Sequence, residues 1–372
     1  MKRTITNFSK TGLALLVGAT LVSACTKDRG IIKERLPKET VGVYALCEGA
    51  FGATNNSTIT YYDIASSTTT QDYFKKQNGI ALGTNANDLK QYGSKMYCVV
   101  TGSTVAAKDS YVEVIDIATG KSLKRIAFYD ASKGYSPRHI GFYNGKAYVS
   151  SYDGYISKID TTSLSIESRV AVGGALDGVT VVNSKLYVAN SLRSDFPSTN
   201  TASISVVDLT SFTKLKDITV NVNPTKLAAT DLGEIYAITN GTYTSPFIAP
   251  SLERLNAMTD TKTQTYNYSL GGIAIHGSNG LVIVNGNYPA PNALKILNTS
   301  TGAIGTNFIA ETEIVSLYAV TINPFNEDVY VADANNYGTA GKIVAFSSTG
   351  KKKFEFFTGA IPQTVVFNYS YK

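Results

Sequence analysis

Tryptophan is absent from the 372-residue chain, histidine occurs twice (His139, His276) and cysteine three times (Cys25, Cys47, Cys98). Two imidazoles cannot build a His-rich zinc or iron centre unless carboxylates complete it, which excludes most metal chemistry. Charge is sparse as well. Asp, Glu, Lys and Arg make up 17% of residues against 43% apolar, too little charge for a disordered chain and enough apolar material for a large core. Long helix-favouring runs of Ala, Glu, Lys and Leu are missing. In their place stand 24 Tyr, 15 Phe and 31 Gly, with abundant Thr, Val, Ile, Ser and Asn, a balance that favours strands.

The formal charge of +6 overstates the basicity of the folded part. Lys2, Arg3 and Lys10 lie in the first 24 residues without an acid, so 31 of the 34 basic residues face 28 acids in the remainder, a net of +3. No basic stripe tracks a phosphate backbone. The one dense run, Lys351 to Lys353 beside Gly350, reads as a solvated turn, and no nucleic-acid partner is expected.

Lys2 and Arg3 form a charged start, and Leu13 to Ala24 is an apolar stretch of about twelve residues, too short to cross ~30 Å of hydrocarbon. It closes on Leu21-Val22-Ser23-Ala24-Cys25, which resembles the bacterial lipobox, where a cysteine behind small residues is acylated and becomes the mature N-terminus. Thr26 follows instead of Asp, and the resemblance then implies delivery to the outer membrane. Residues 1–24 read as a lipoprotein signal peptide, 25–40 as the lipidated N-terminus and a polar, flexible tether, and 41–372 as the folded domain. With Cys25 acylated, Cys47 and Cys98 remain at equivalent places in consecutive repeats (ALCEG and MYCVV), either as a disulfide or as two buried thiols.

The repeats are the most informative feature. A Tyr-centred strand recurs at Tyr44, Tyr97, Tyr148, Tyr187, Tyr236 and Tyr330, with Val282 in GLVIV in the sixth place, at spacings of 53, 51, 39, 49, 46 and 48 residues. A second marker, a strand stopping at a short polar residue, recurs at Asp63, Asp116, Asp160, Asp208, Asn256, Asn298 and Ser347. These residues suit a tight turn, because their side chains bond the backbone two residues on. Seven units of four strands specify an all-β fold, a seven-bladed β-propeller. The segment Ile361 to Phe367 (IPQTVVF) looks like the opening strand of other units, SPRHIGF and NPTKLAA, and nothing follows it, whereas the first unit opens at its Tyr44 strand. The C-terminal strand is therefore expected to complete the N-terminal blade and close the ring, which removes exposed edges.

The YVxN-type repeats, above all KLYVANS (Lys185 to Ser191) followed by SISVVDL, resemble the YVTN or YncE-like propellers. The segments VYALCEGAFGATNNSTITYYD, GIALGTNANDLKQYGSKMYCVV and SPRHIGFYNGKAYVSSYDGYISKID resemble more narrowly the Bacteroidetes surface lipoproteins of the DUF5074 type. The likeness covers nearly all of the mature chain. Cys47 stands where that group often carries Asn, and the sixth unit is degenerate. The resemblance implies a surface-exposed, lipid-anchored outer-membrane protein that binds a corrinoid such as vitamin B12 (cobalamin) and passes it to a TonB-dependent transporter, with no enzymatic activity and no cofactor.

In such a ring the loops between second and third strands, and those between blades, share one face around the channel. The within-blade set, from EGAFGATNNS to DANNYGTAG, is long and rich in Asn, Tyr, Phe and Gly. The aromatic candidates for contacting a ligand are Tyr135, Tyr152, Tyr155, Phe196, Tyr243, Phe247, Tyr288 and Tyr337. The polar ones are Asn190, Asn240, Asn285, Asn287 and Asn335, around one charged anchor, Arg138, which a neighbour such as Asp130 or Asp153 could also hold. Flat aromatic faces and neutral amides suit a large, partly apolar, amide-rich molecule. His139 and His276 fall on opening strands, near the channel. Two other readings stand: a metal-dependent hydrolase of the lactonase type, whose Asp/Glu/His cluster is not visible in the sequence, and a surface scaffold for protein or glycan. Radiolabelled palmitate should label the expressed protein, and Cys25→Ala should abolish both the label and sedimentation with membranes; a labelled Cys25→Ala protein would refute the lipid assignment.

Overall fold

In each repeat the Tyr-centred strand and the strand ending in Asp, Asn or Ser are antiparallel neighbours. Lys95 faces Asp116, Lys185 faces Asp208 and Asn279 faces Asn298 at the turn end. The terminal side chain folds back as expected: Oδ1 of Asp160 accepts from the Thr162 and Ser163 amides at 2.9 and 2.6 Å, and Oδ1 of Asn298 from Ser300 and Thr301 at 3.0 Å each. A computed structural model describes residues 36–287, 289–310 and 314–372. Its strands form seven four-stranded antiparallel sheets. Blade 1 comprises residues 37–70 with the C-terminal strand Pro362–Tyr371, and blades 2 to 7 span 86–127, 137–171, 175–219, 224–266, 270–307 and 317–360.

The inner strands are Ala86–Tyr92, Pro137–Tyr143, Ala175–Val182, Pro224–Ala229, Leu270–His276, Leu317–Ile322 and Pro362–Tyr371; each touches the next and the last touches the first, so they wall a central channel. The one α-helix among the described residues, Tyr73–Asn78, lies between blades 1 and 2 and was not expected. Asp72 accepts from the Lys75 amide at its start, Gly79 ends it in the left-handed region at φ 71°, and Phe74 anchors it in the core.

The two sequence markers are coupled across blades. The Tyr44 hydroxyl donates to the carbonyl of Ile117 at 2.7 Å, Tyr148 to Leu209 at 3.4 Å, Tyr187 to Ala257 at 3.2 Å and Tyr236 to Thr299 at 3.0 Å. Each acceptor is the residue after the Asp or Asn that ends the third strand of the following blade. Each of these four tyrosines thus fills the apolar interface with its ring and bonds a turn carbonyl with its hydroxyl, whereas the Tyr97 hydroxyl is buried without a partner. In blade 6 the expected register is off by one: Leu281 faces Ile296 two residues before Asn298, the place Tyr187 holds opposite Val206, so Leu281 and not Val282 replaces tyrosine.

Closure follows the expected path. Val43, Tyr44 and Ala45 pair with Phe367, Val366 and Val365, and the three C-terminal side chains are buried. Burial of each contributes on the order of 1.5–3 kcal/mol. The Tyr369 hydroxyl donates to Asn323 at 2.8 Å, and the Asn323 amide to Thr40 at 2.9 Å. The pairing runs out to Pro37 opposite Tyr371, so the blade starts at Pro37 and residues 37–40, expected in the tether, belong to it. Cys25 and the signal segment lie outside the described residues. Cys47 and Cys98 are free, buried thiols, which decides against the disulfide; desolvation pushes Cys47 up to about 11 and Cys98 well above the usual range. Deleting residues 361–372 should leave blade 1 without its inner strand and yield aggregated or proteolysed protein by size-exclusion chromatography; a monomer with an unchanged melting temperature would refute closure as a condition of folding.

Candidate binding site at the channel mouth

At the same point in all seven blades the inner strand slips its register by one residue against its neighbour. The residues left unpaired are Asn87, Arg138 with His139, Asp177 with Gly178, Thr225, Gly271, Tyr318 and Gln363. A bulge frees a residue from the ladder and re-aims its side chain. Here it occurs at the end of the channel where the long within-blade loops also emerge. Residues of all seven inner strands line a channel cavity of about 160 Å³, among them Asn87, Asp88, His139, Thr225, Lys226 and Gln363.

A charged network spans this mouth. His139 sits between two carboxylates, with Nδ1 3.4 Å from Asp88 and Nε2 3.2 Å from Asp177. Arg138 Nε lies 3.4 Å from Asp177, its Nη1 donates to the Asn87 side-chain oxygen, and its guanidinium rests 4.8 Å over the Tyr152 ring. Lys90 reaches Asp88 at 3.4 Å and donates to the Ile140 carbonyl at 2.7 Å. Across the mouth, the Tyr318 hydroxyl donates to Glu48 at 2.8 Å and Lys226 to the Gly271 carbonyl at 2.8 Å. The Gln363 side-chain oxygen is buried and unpartnered.

Burial alone would raise the carboxyls and lower the imidazole, and the pairing reverses this in three places. Asp88 falls to about 2 because Lys90 and His139 outweigh desolvation, and Asp177 falls because Arg138 and His139 do. His139 rises, since hydrogen bonds to Asp177 and Asp88 outweigh the burial that would lower it. Burial prevails at Glu48, which rises, and at Lys226, which falls. Asp88 and Asp177 face opposite nitrogens of one ring, so their oxygens do not converge. Among the described residues no three His, Cys, Asp or Glu side chains are placed to hold a metal ion.

The sequence-derived residues divide into three groups. Arg138 and Tyr152 meet at the mouth, where Tyr152 also lies under Arg193 at 4.8 Å and against the Phe196 ring at 5.4 Å. Tyr337 packs edge-on against Tyr318 at 5.9 Å. Tyr135 and Tyr155 flank Arg169 at 3.7 and 4.7 Å, and Asp153 holds that arginine at 2.8 Å. Asp153 is thereby occupied, as is Asp130, which accepts from the Ser132 and Lys133 amides in its own turn, so Asp177 is the partner of Arg138. Tyr243 and Phe247 project from their loop, 85% and 73% exposed.

The third group serves the loops. Asn190 is fully buried: its amide donates to Ser203 and Ser205 at 2.9 Å each, holding the loop root from within, and its side-chain oxygen has no partner. Asn335 bonds Thr339 and Ala340 within its own turn, and Asn285 bonds Ser269 at 3.1 Å; Asn240 and Asn287 tie the loops through their backbones. Tyr288 lies outside the described residues. His276 ends its inner strand at the opposite mouth of the channel. Sequence reasoning passed over Asp88, Asp177, Lys226, Tyr318 and Gln363. Their signal was the opening-strand alignment itself, since the residues after the initial Ala, Pro or Leu (AND, PRH, LDG, PTK, LYA, PQT) occupy one ring position. It also passed over Phe51, fully exposed, with Leu192 and Val315 on the same face.

Comparison with known proteins agrees with this architecture. The family described as "Domain of unknown function (DUF5074)" matches residues 41–357. Among solved structures, the chain is similar to a quinonprotein alcohol dehydrogenase-like protein from Bacteroides thetaiotaomicron (TM-score 0.65, 15% identity, 88% of this chain and 78% of that one). It is also similar to the Kuenenia stuttgartiensis hydrazine synthase (TM-score 0.54, 15% identity, 68% and 74%) and the Neurospora crassa Pan2 WD40 domain (TM-score 0.54, 11% identity, 75% and 80%). At these identities the likeness is one of fold. No curated protein sequence matches the chain.

The paired charges set a pH window. The depressed Asp88 contributes stability present above ~3.9 and lost as the pH falls toward its folded value, whereas the raised His139 contributes stability complete below ~6.5 and lost as the pH rises through its folded value. By scanning calorimetry, the excess in melting temperature of wild type over His139→Gln should be largest between about pH 4 and 6.5 and shrink on the alkaline side. An excess that grows from pH 6 to 9 would contradict the imidazolium assignment.

Proposed function

We propose, on the premise that the chain belongs to the DUF5074 family and forms a closed seven-bladed ring, that it is a non-enzymatic surface lipoprotein that captures a corrinoid such as vitamin B12 at the channel mouth and passes it to a TonB-dependent outer-membrane transporter. The observation that supports this reading is the coincidence, on one face, of seven bulge positions around the mouth and a wider crown of exposed apolar side chains that includes Phe51, Tyr243, Phe247 and Tyr337. Exposed apolar groups rimming a polar centre mark an interaction surface. A corrinoid matches such a surface in kind: a broad, partly apolar macrocycle, peripheral amides and one phosphodiester.

The aromatic crown offers the macrocycle flat faces. Asn87 and the unpartnered oxygen of Gln363 suit amide groups, and Arg138 and Lys226 suit the one negative charge. The inner strands are hydrogen-bonded to their neighbours and Arg138 is already held by Asp177 and Tyr152, so capture orders few groups that were free beforehand. Delivery to a transporter fits a tethered domain that presents its loaded face outward, and it rests on the lipid at Cys25.

Isothermal titration of the mature chain from Thr26 with cyanocobalamin should give saturable one-to-one binding at micromolar concentrations. Arg138→Ala and Phe51→Ala should each weaken it by about tenfold, ~1.4 kcal/mol. Absence of both heat and co-elution at those concentrations would overturn the corrinoid reading.

A further inference from the structure

The interface between blades 6 and 7 departs from the others, on the face opposite the channel mouth. Four interfaces carry a tyrosine hydroxyl bonded to the carbonyl one residue past the turn residue of the next blade: Ile117 after Asp116, Leu209 after Asp208, Ala257 after Asn256 and Thr299 after Asn298. At the corresponding place blade 6 has Leu281, preceded by Gly280, and the corresponding acceptor in blade 7 is Ser348, after Ser347. The ring and the hydroxyl are both gone from this interface. A cavity of about 480 Å³ opens there, lined by Leu281, Ile296, Phe308, Ile322 and Val329, with Ser348 among its lining residues.

The surrounding core has not collapsed into the gap. Leu281, Ile322, Val329 and Phe346 remain buried and packed in one cluster, so the walls are set by the two sheets. Apolar side chains and polar groups share the lining about equally, and a volume of several hundred Å³ with both kinds of wall suits a small molecule that is itself part apolar and part polar. The polar groups come from both blades: Ser278, Asn279, Asn298 and Thr299 from blade 6, Glu327 and Ser348 from blade 7.

We propose that this cavity binds a small planar ring carrying a single hydroxyl, a ligand of the phenol class, seated where a blade-6 tyrosine would lie and donating its hydroxyl to the Ser348 carbonyl. The preference follows from the fold's own solution at four of the other interfaces, where that chemical group fills the space between the sheets and bonds the turn carbonyl. The site is separate from the channel mouth and does not depend on what binds there.

The test uses p-cresol and toluene as probes on the mature chain, read by thermal shift and by ligand-observed NMR. p-Cresol should bind saturably at millimolar concentrations, raise the melting temperature and bind about fivefold more tightly than toluene, the difference that one hydrogen bond supplies. Leu281→Tyr provides the ring covalently and should weaken p-cresol by about tenfold or more, as direct occupation of the same space requires. Ile322→Phe, which intrudes from the facing blade, should weaken it as well and serves if the first variant does not fold. Failure of p-cresol to saturate, equal affinity for toluene, or unchanged affinity in a folded variant would each overturn the assignment.

Discussion

Everything on the functional face depends on the pairing of the last strand with the first. Seven twisted sheets form a channel only if the ring closes, and closure here is a ladder between residues more than 300 positions apart in the chain, Val43 to Phe367 and Tyr44 to Val366. Without it blade 1 would expose its Tyr44 strand as an open edge, and the inner strands would no longer share an axis. Closure also costs chain entropy that local contacts do not repay, so it relies on the burial of Val365, Val366 and Phe367 and on the Asn323 bridge to Thr40 and Tyr369.

The channel mouth turns that closure into chemistry. One bulge per blade, repeated seven times, frees a side chain at a fixed height, and the choice of Asn, Arg, Asp, Thr, Gly, Tyr or Gln there decides the character of the mouth without disturbing the ladders behind it. The charges are largely matched among themselves, His139 between Asp88 and Asp177, Arg138 on Asp177 and Lys90 on Asp88, while Glu48 accepts from the neutral Tyr318 hydroxyl. Such a mouth is stiff and nearly neutral, and it contrasts with the apolar crown outside it. The opposite face has its own irregularity, where loss of one tyrosine at Leu281 leaves space that the closed ring cannot take up by sliding its sheets.

Recurrence made the fold readable. The tyrosines and the turn residues stand out by recurrence, and four of the pairs make a contact across a blade interface, as Tyr44 does with the turn after Asp116 and Tyr236 with the turn after Asn298. Where the pairing is lost, the reading slipped by one residue, from Leu281 to Val282, since an apolar run such as GLVIV has no polar landmark to fix its register. The loop aromatics Tyr152, Phe196 and Tyr337 were legible because flat rings are unusual in solvated loops. The burial of Asn190 was not legible, because an asparagine at a loop root looks the same in sequence whether it faces solvent or the neighbouring strand's serines.

By itself the sequence determined the blade count, the strand order within each blade, the turns and the strand that closes the ring, because these follow from periodic patterns and short-range hydrogen bonding. Only the tertiary structure decided which charges meet. Asp88, His139 and Asp177 lie on three different blades, and Glu48 and Tyr318 on two, and their contacts exist because the closed ring brings the bulged inner strands and the loops beside them to a common axis that no single segment contains. It decided likewise that Cys47 and Cys98 remain separate thiols, since sheet geometry and not spacing sets the distance between neighbouring blades.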